Sequence, residues 1–217
     1  MAVSGLELPT EPPWTLTSPV PLELGLAELV AAGLLRRQDV ELVERRRFSA
    51  AVEAERSGRP RAPGTPAAGV SRGAEFTAAA AWLPLGGGRA TLEVRLASAQ
   101  TGAIVAARRQ LIPANADPVG AARAVVASIL GALDDVGRLP AWNDPLGEAI
   151  PTSYAPSGIA RSAVERFLRA LAEEELWNWE PARRSYQLAS ESEGFFEAGA
   201  ALARTARLRS GGTLGES

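Results

Sequence analysis

The amino-acid sequence predicts a mixed α/β fold. This is an α+β sandwich whose sheet contains a three-strand antiparallel meander flanked by helices, followed by a carboxy-terminal α-helical repeat. Residues 89–97, RATLEVRLA, alternate strictly between apolar and polar side chains, which is typical of a strand with one buried face. The short turns PLGGG and SAQTG lie on either side of this strand and predict antiparallel hairpins. After residue 158, apolar side chains recur at every third or fourth position, as on packed helices.

The amino-terminal region predicts short strands and helices separated by proline-rich segments. Residues 3–8 are a candidate first strand, and residues 9–21 contain too many prolines for a helix or a ladder. Pro21 suits the first turn of a helix, and leucines at helical spacing continue that helix towards Arg36 and Arg37. The segments that follow are predicted as a strand at 40–43, a helix at 45–56, a loop at 57–66 and a short helix at 67–72.

The meander and the helix after it give the clearest pattern. The three predicted strands are residues 74–83, with Phe76 and Trp82 on one face, residues 89–97 and residues 103–112. Asp117 and Pro118 then suit the N-cap and the first position of a helix. One apolar stripe continues this helix to about Val136 and comprises Val119, Ala122, Val126, Ile129, Leu130 and Leu133.

A domain boundary is predicted within residues 137–158, a linker with four prolines and no periodicity. It separates an α/β domain at 1–136 from a helical unit at 159–209. The first helix of that unit carries one apolar face, the second begins near Pro181, and the third runs from about Phe195 to Arg209. Residues 210–217, SGGTLGES, are predicted as a flexible tail. The apolar face of the first helix consists of Val164, Phe167, Leu168 and Leu171.

The composition excludes several classes of chemistry. The chain has no cysteine and no histidine, and all 23 of its basic residues are arginine. Disulfides, thiolate nucleophiles, Cys/His zinc sites, imidazole acid–base catalysis and lysine nucleophiles are therefore excluded. A net charge of −2 provides no global positive field for nucleic acid. We expect no catalytic residue, no cofactor, no metal site and no nucleic-acid partner.

Two kinds of motif leave alternatives open. Gly86-Gly87-Gly88 could cradle a phosphate, but it matches neither glycine-rich phosphate motif and precedes a strand, which favours a hairpin turn. The acidic runs Asp134–Asp135 and Glu173–Glu175 could serve acid–base work or metal ligation. Adjacent positions on a helix point in different directions, so we expect both runs to lie on solvated faces.

The candidate partner-binding residues are large aromatics and arginines: Trp14, Arg46, Arg47, Trp142, Trp177 and Trp179. Trp14 and Trp142 lie in proline-rich segments, where an aromatic side chain can anchor a partner. Trp177 and Trp179 lie at the turn between paired helices. Packing in the crevice is the main expectation there, and a protein contact or stacking on a base or sugar is the alternative. Arg46 and Arg47 belong to VELVERRRF at 40–48. They could grip phosphate, face solvent, or contact an acidic or lipid-headgroup partner.

The order of these segments resembles the TolB amino-terminal-like and CsgG-like α/β domains of bacterial envelope and regulatory proteins. The resemblance is carried by GLAELVAAGLL at 25–35, by VELVER at 40–45 with Phe48 in the next helix, and by ASAQTGAIVAARR at 97–109. The tail is similar to a tetratricopeptide repeat, with Gly194 where that repeat has proline. A solenoid normally needs about three repeats, so this hairpin is expected to lean on the α/β domain or on a partner. The matching small and aromatic residues are Ala170, Trp179, Ala182, Tyr186 and Ala189.

The resemblance implies a non-catalytic accessory or scaffolding subunit that mediates protein–protein contacts in a bacterial envelope- or membrane-associated complex. The alternative is a small-anion or nucleotide-sensing domain of a regulatory protein, and an enzyme that uses carboxylates alone is a third possibility. The sequence predicts no membrane-spanning segment and no signal peptide. We expect a protein peripheral to the membrane, cytoplasmic if Met1 is the native start and periplasmic if the chain is a processed form.

Overall fold

The computed structural model describes residues 2–7, 20, 22–37, 40–42, 74–139 and 154–211. The helices predicted at 45–56 and 67–72 and the loop at 57–66 lie outside these residues. Most of the proline-rich stretch at 9–21 and most of the predicted linker lie outside them as well.

A four-stranded sheet in the order β1–β2–β3–β4 forms the centre of the fold. Its strands are β1 (Ala2–Glu7), β2 (Phe76–Gly86), β3 (Arg89–Ser98) and β4 (Ile104–Ile112). Strands β2, β3 and β4 pair antiparallel in sequence order, which confirms the predicted meander and the mixed α/β class. Strand β1 lies parallel to β2, and it begins one residue earlier than the sequence predicts.

The glycine run between β2 and β3 forms a tight hairpin turn. Gly86, Gly87 and Gly88 have φ angles of 82°, 60° and 72°, a region that residues with a Cβ seldom adopt. A Cβ added at Gly86 or Gly87 would meet nothing within 4 Å, so the backbone conformation is what requires glycine. This confirms the hairpin interpretation of the run.

The strand predicted at 40–43 is wrong over its described part. Residues 40–42 have no regular secondary structure. Val40 is buried and Leu42 is half-buried, and both belong to the hydrophobic core. The apolar pattern therefore reflects core packing. β1 and β2 are direct neighbours in the sheet, which leaves no position for another strand between them.

Two helices, α1 (Leu22–Leu34) and α2 (Pro118–Asp135), pack together, and α2 also packs on β3 and β4. The N-cap prediction is confirmed, because the Asp117 carboxylate accepts a hydrogen bond of 2.7 Å from the Gly120 N–H. Most of α2 is buried, well beyond the predicted stripe, because α1 packs on it as well as the sheet. Gly33 permits this close approach, since a Cβ there would lie 2.8 Å from Val126 Cγ2.

The carboxy-terminal helices are α3 (Arg161–Glu175), α4 (Trp179–Ser190) and α5 (Phe196–Gly211). The predicted apolar face of α3 is buried throughout. The Phe167 ring of this face lies 5.6 Å from the Tyr186 ring and 5.5 Å from the Phe195 ring, centroid to centroid. Helix α5 includes two residues at 210–211 that the sequence assigns to the flexible tail.

The helical unit and the sheet share one hydrophobic core. Helix α1 contacts α3 and α5, and Gly25 lies so close to α3 that a Cβ there would stand 2.1 Å from Leu168 Cδ2. The hairpin therefore rests on the α/β part of the chain, as expected for a single repeat. The domain boundary at 137–158 stays a prediction.

Candidate partner-binding site

Two of the six predicted partner-binding residues belong to the described part of the chain. Trp177 and Trp179 lie at the turn between α3 and α4. Trp14, Arg46, Arg47 and Trp142 lie outside the described residues.

The turn between α3 and α4 exposes a cluster of large apolar side chains, here called the tryptophan tip: Leu176, Trp177 and Trp179. Leu176 and Trp177 are 69% and 70% exposed, the two highest values among the large hydrophobic residues in the described part of the chain. Trp179 is half-buried, and its ring meets the Trp177 ring edge to face at 5.5 Å. The expectation that Trp177 fills the crevice between the helices is therefore wrong, because its ring points away from the core.

The backbone of the tip is a Schellman motif with tryptophan in the position that glycine usually takes. The Trp177 N–H donates to the Glu174 carbonyl at 3.0 Å, and the Asn178 N–H donates to the Glu173 carbonyl at 2.9 Å. The Asn178 side chain also donates to the Glu173 carboxylate at 2.9 Å. Trp177 has a φ of 62° and is the one non-glycine residue with positive φ in the described ranges.

This left-handed conformation is unfavourable for tryptophan. A residue with a Cβ costs about 1–2 kcal/mol in the left-handed region, whereas glycine adopts it freely. The Trp177 ring makes an aromatic contact with Trp179 but is otherwise largely exposed, so burial does not offset this cost. Strained residues that folding does not require are characteristic of functional sites.

Acidic residues flank the tryptophan tip along the chain. Glu173 and Glu175 close helix α3, and Glu180 follows Trp179 at the start of α4. Arg183 lies 3.4 Å from Glu180 across the first turn of α4. The tip therefore combines an exposed apolar surface with a predominantly acidic rim.

One residue of the predicted acidic run is buried beneath the tip, so its assignment to a solvated face is wrong. Glu174 is 2% exposed and accepts hydrogen bonds from the Tyr186 hydroxyl at 2.7 Å and from Arg204 Nη2 at 2.8 Å. Arg204 also bonds Glu28 of α1 at 2.6 Å. Burial raises the pKa of Tyr186, and the negative charge of Glu174 raises it further. This network links α3, α4 and α5 to α1.

A second ionic link joins α5 to α2. Glu197 is fully buried and accepts hydrogen bonds of 2.9 and 3.0 Å from the Arg123 guanidinium, which also donates to the Gly194 carbonyl at 2.6 Å. The Phe196 ring lies beneath two guanidinium groups, 4.2 Å from that of Arg36 and 4.6 Å from that of Arg123. Cation–π contacts of this kind add to the ion pair. The helix that follows the hairpin is thus tied to the α/β part.

A third link holds the segment before α3 against the start of α2. The Asp117 carboxylate accepts hydrogen bonds from the Ser157 N–H at 3.0 Å, from the Ser157 hydroxyl at 2.7 Å and from the Tyr154 hydroxyl at 3.0 Å. Burial opposes ionisation of Asp117, but these bonds and the bond from Gly120 outweigh it and hold its pKa below the usual value. Tyr154 in turn accepts from the Asp117 N–H at 2.8 Å.

Carboxylates on the sheet are also matched to arginines. Glu93 of β3 accepts from Arg95 and Arg109, whose side chains cover it, although the sequence predicts a wet face there. The hydrogen bonds from Arg95 and Arg109 lower the pKa of Glu93. Asp135 accepts two hydrogen bonds of 2.8 and 2.7 Å from Arg108, so this member of the acidic run Asp134–Asp135 forms an ion pair. These carboxylates are engaged in structural pairs.

The described part of the chain contains no group of three or more His, Cys, Asp or Glu residues placed to hold a metal ion. Among the helices of the same residues, none combines the length and the apolar character needed to cross a membrane.

Comparisons with known proteins find similarity only among solved structures. No family model and no curated protein matches the chain. The LpoB carboxy-terminal domain from Salmonella enterica is 17% identical with a TM-score of 0.37, and the match covers 51% of this chain and 79% of that domain. The PelC dodecamer from Paraburkholderia phytofirmans is 15% identical with a TM-score of 0.29, covering 64% and 87%. At these TM-scores neither match assigns a family or a function, and the TolB-like and tetratricopeptide-like resemblances stay predictions.

Proposed function

We propose that this protein is a non-catalytic accessory subunit that binds a partner protein through the tryptophan tip. The observation that carries the proposal is Trp177, which holds a left-handed backbone conformation while it is 70% exposed. Folding alone would favour glycine at this position. Tryptophan is also the residue type most enriched among the energetic centres of protein interfaces.

The scaffold beneath the tip supports this role because it holds the turn in place. The Schellman hydrogen bonds fix the backbone of the turn. The hydrogen bond from the Asn178 side chain to the Glu173 carboxylate holds these two side chains together. Glu174 anchors the end of α3 to α4 and α5 through Tyr186 and Arg204. A preorganised apolar projection loses little conformational freedom on binding, which favours affinity.

The chemistry of the tip defines the partner surface that it fits. Leu176 and Trp177 require an apolar pocket, and the acidic residues around them require a neutral or basic rim. An anionic lipid surface suits the tip poorly, because the glutamates at 173, 175 and 180 would be repelled by it. We therefore favour a protein partner over direct insertion into a membrane.

The assignment as non-catalytic rests on side-chain chemistry. The chain lacks histidine, cysteine and lysine, which supply most general bases and nucleophiles. The buried carboxylates Glu174 and Glu197 are each hydrogen-bonded to arginine. A carboxylate catalyst would instead need two such groups converging on one cleft. A setting in a bacterial envelope-associated complex is part of the same proposal and rests on the resemblance of residues 1–136 described above.

Co-purification from the native host tests the proposal. Tagged wild-type protein is compared with Trp177→Gly, which removes the indole and suits the left-handed backbone, and with Leu188→Ala. Leu188 is 46% exposed on α4, and it serves as a control for loss of an exposed apolar side chain elsewhere on the hairpin. We expect a stoichiometric partner with wild type and with Leu188→Ala, and at least a tenfold loss with Trp177→Gly. Equal recovery with all three proteins would contradict the proposal.

A further inference from the structure

Strand β4 is the last strand of the sheet. It is nine residues long and, among the described residues, its backbone ladder is formed with β3 alone. Alternate residues of such a strand direct their N–H and C=O groups away from the sheet, where they can pair with another strand. Natural edge strands are usually shortened, bulged or charged to prevent this pairing.

The protection of the β4 edge is incomplete. A register shift opposite Leu96 and Ala97 marks a bulge at Val105, so irregularity is confined to the first residues of the strand. From Ala106 to Ile112 the pairing with β3 is regular. The strand contains no proline, and seven consecutive regular residues provide room for a further ladder.

The exposed side chains of β4 are apolar at its two ends. Ile104 and Val105 are 60% and 43% exposed at one end, and Leu111 is 55% exposed near the other. The centre of the strand holds Arg108 and Arg109, and both are already engaged. Arg108 makes two bonds to Asp135, and Arg109 bonds Glu93.

We propose that β4 pairs antiparallel with β4 of a second copy of this chain, centred on Arg108. Antiparallel pairing places residues whose numbers sum to a constant opposite one another and on the same face. In this register the regular residues Ala106 to Gln110 of the two copies pair, and the bulged Val105 of each copy lies beside Leu111 of the other. Exposed apolar side chains therefore meet at both ends of the ladder. Ala107 of each copy opposes Arg109 of the other, and its small side chain leaves room for the guanidinium group.

The pattern of the strand selects a second copy over an unrelated extended peptide. Strand β4 has apolar residues at both ends and polar residues in its centre, in the sequence IVAARRQLI. Two copies of this strand running in opposite directions therefore place apolar residues opposite apolar residues. An acidic peptide would gain little, because both arginines already have carboxylate partners. Pairing centred instead on Arg109 would set Leu111 opposite Ala107, so the exposed apolar ends would no longer meet. The register centred on Arg108 does place the two Arg108 side chains opposite one another, and the Asp135 carboxylate bonded to each arginine offsets their repulsion. The inference does not depend on the tryptophan tip.

Analytical ultracentrifugation of the whole chain tests self-association. We expect a reversible monomer–dimer equilibrium, weakened at least tenfold by Leu111→Lys. The matched control is Leu83→Lys, since Leu83 is 45% exposed but lies on the interior strand β2. A chain that remains monomeric at all concentrations, or a dimer that Leu111→Lys leaves unchanged, would overturn the inference.

Cysteine cross-linking tests the register, and the absence of native cysteine gives a clean background. In the proposed pairing, residues 105 and 111 of different copies lie about 5 Å apart between Cβ atoms. Residues 105 of the two copies lie roughly 20 Å apart along the strands, as do residues 111. We expect Val105→Cys/Leu111→Cys to form a covalent dimer on mild oxidation, and each single variant to form little. Equal cross-linking by the double and single variants would refute this register.

Discussion

Replacement of Trp177 by glycine and by alanine separates backbone strain from side-chain packing. Both substitutions remove the indole and its contact with Trp179, so these effects cancel when the two variants are compared. Alanine retains a Cβ at a φ of 62°, whereas glycine adopts this conformation without strain. The difference in free energy of unfolding between the variants therefore reports the strain at this position.

The expected difference follows from two opposing effects. The left-handed conformation costs a residue with a Cβ about 1–2 kcal/mol. Glycine lowers the free energy of unfolding by about 0.4–1 kcal/mol relative to alanine, because the unfolded chain has more conformational freedom with glycine. We expect Trp177→Gly to be more stable than Trp177→Ala by about 1 kcal/mol, which corresponds to roughly 2–4 °C in melting temperature for a chain of this size.

Urea unfolding followed by circular dichroism measures both variants and the wild type. Wild type and Trp177→Gly should have similar stability, because the strain that glycine relieves is offset by loss of the aromatic contact with Trp179, which is worth about 0.5–1.5 kcal/mol. If Trp177→Ala were as stable as Trp177→Gly, the left-handed strain would not exist. If both variants lost several kcal/mol relative to wild type, Trp177 would be a core residue and the reasoning for a binding role would fail.

Three further predictions concern the ionic links. Tyr186→Phe removes one hydrogen bond from the buried Glu174 carboxylate and should cost about 2 kcal/mol in urea unfolding, while Ser190→Ala on the same helix should have little effect. Arg123→Ala leaves the fully buried Glu197 without its arginine and should cost about 3 kcal/mol in free energy of unfolding. Adding Glu197→Ala should recover part of that loss. If it recovers nothing, the two residues are not coupled. Asp117 has a lower pKa in the fold than its usual value of about 3.9, so its carboxylate stabilises the protein above that pH and the contribution disappears as the pH falls through the folded pKa. Asp117→Asn should therefore be less stable than wild type near neutral pH by about 1 kcal/mol, with a gap that closes in acid; a gap independent of pH would show that the charge is irrelevant.

Elements encoded by local patterns could be predicted from the sequence. The alternation at 89–97 gives β3, the glycine run gives its hairpin, and Asp117 with Pro118 gives the start of α2. Each of these signals acts within a few residues, through side-chain alternation, positive φ or an N-cap bond. The surrounding tertiary structure did not change them.

Features that depend on distant residues could not be predicted in the same way. Glu174 continues the apolar stripe of α3 three residues after Leu171, but its partner Arg204 lies thirty positions away. Residues 40–42 have a strand-like apolar pattern, yet they do not join the sheet, in which β1 pairs directly with β2. At Trp177, aromatic composition suggests burial, whereas the Schellman turn directs the ring outward. The sequence signal for this strained position is the short connection between the two helices, residues 176–178, which contains no glycine to adopt a positive φ.

Site-specific photo-cross-linking in the native host tests the central claim most directly. A benzoylphenylalanine residue placed at position 177 is compared with one at position 188, where Leu188 is also exposed on the same hairpin. The account predicts one dominant protein adduct from position 177 and none of that adduct from position 188. No adduct at position 177, or the same adducts in equal yield from both positions, would contradict the assignment of the tryptophan tip as the partner-binding site.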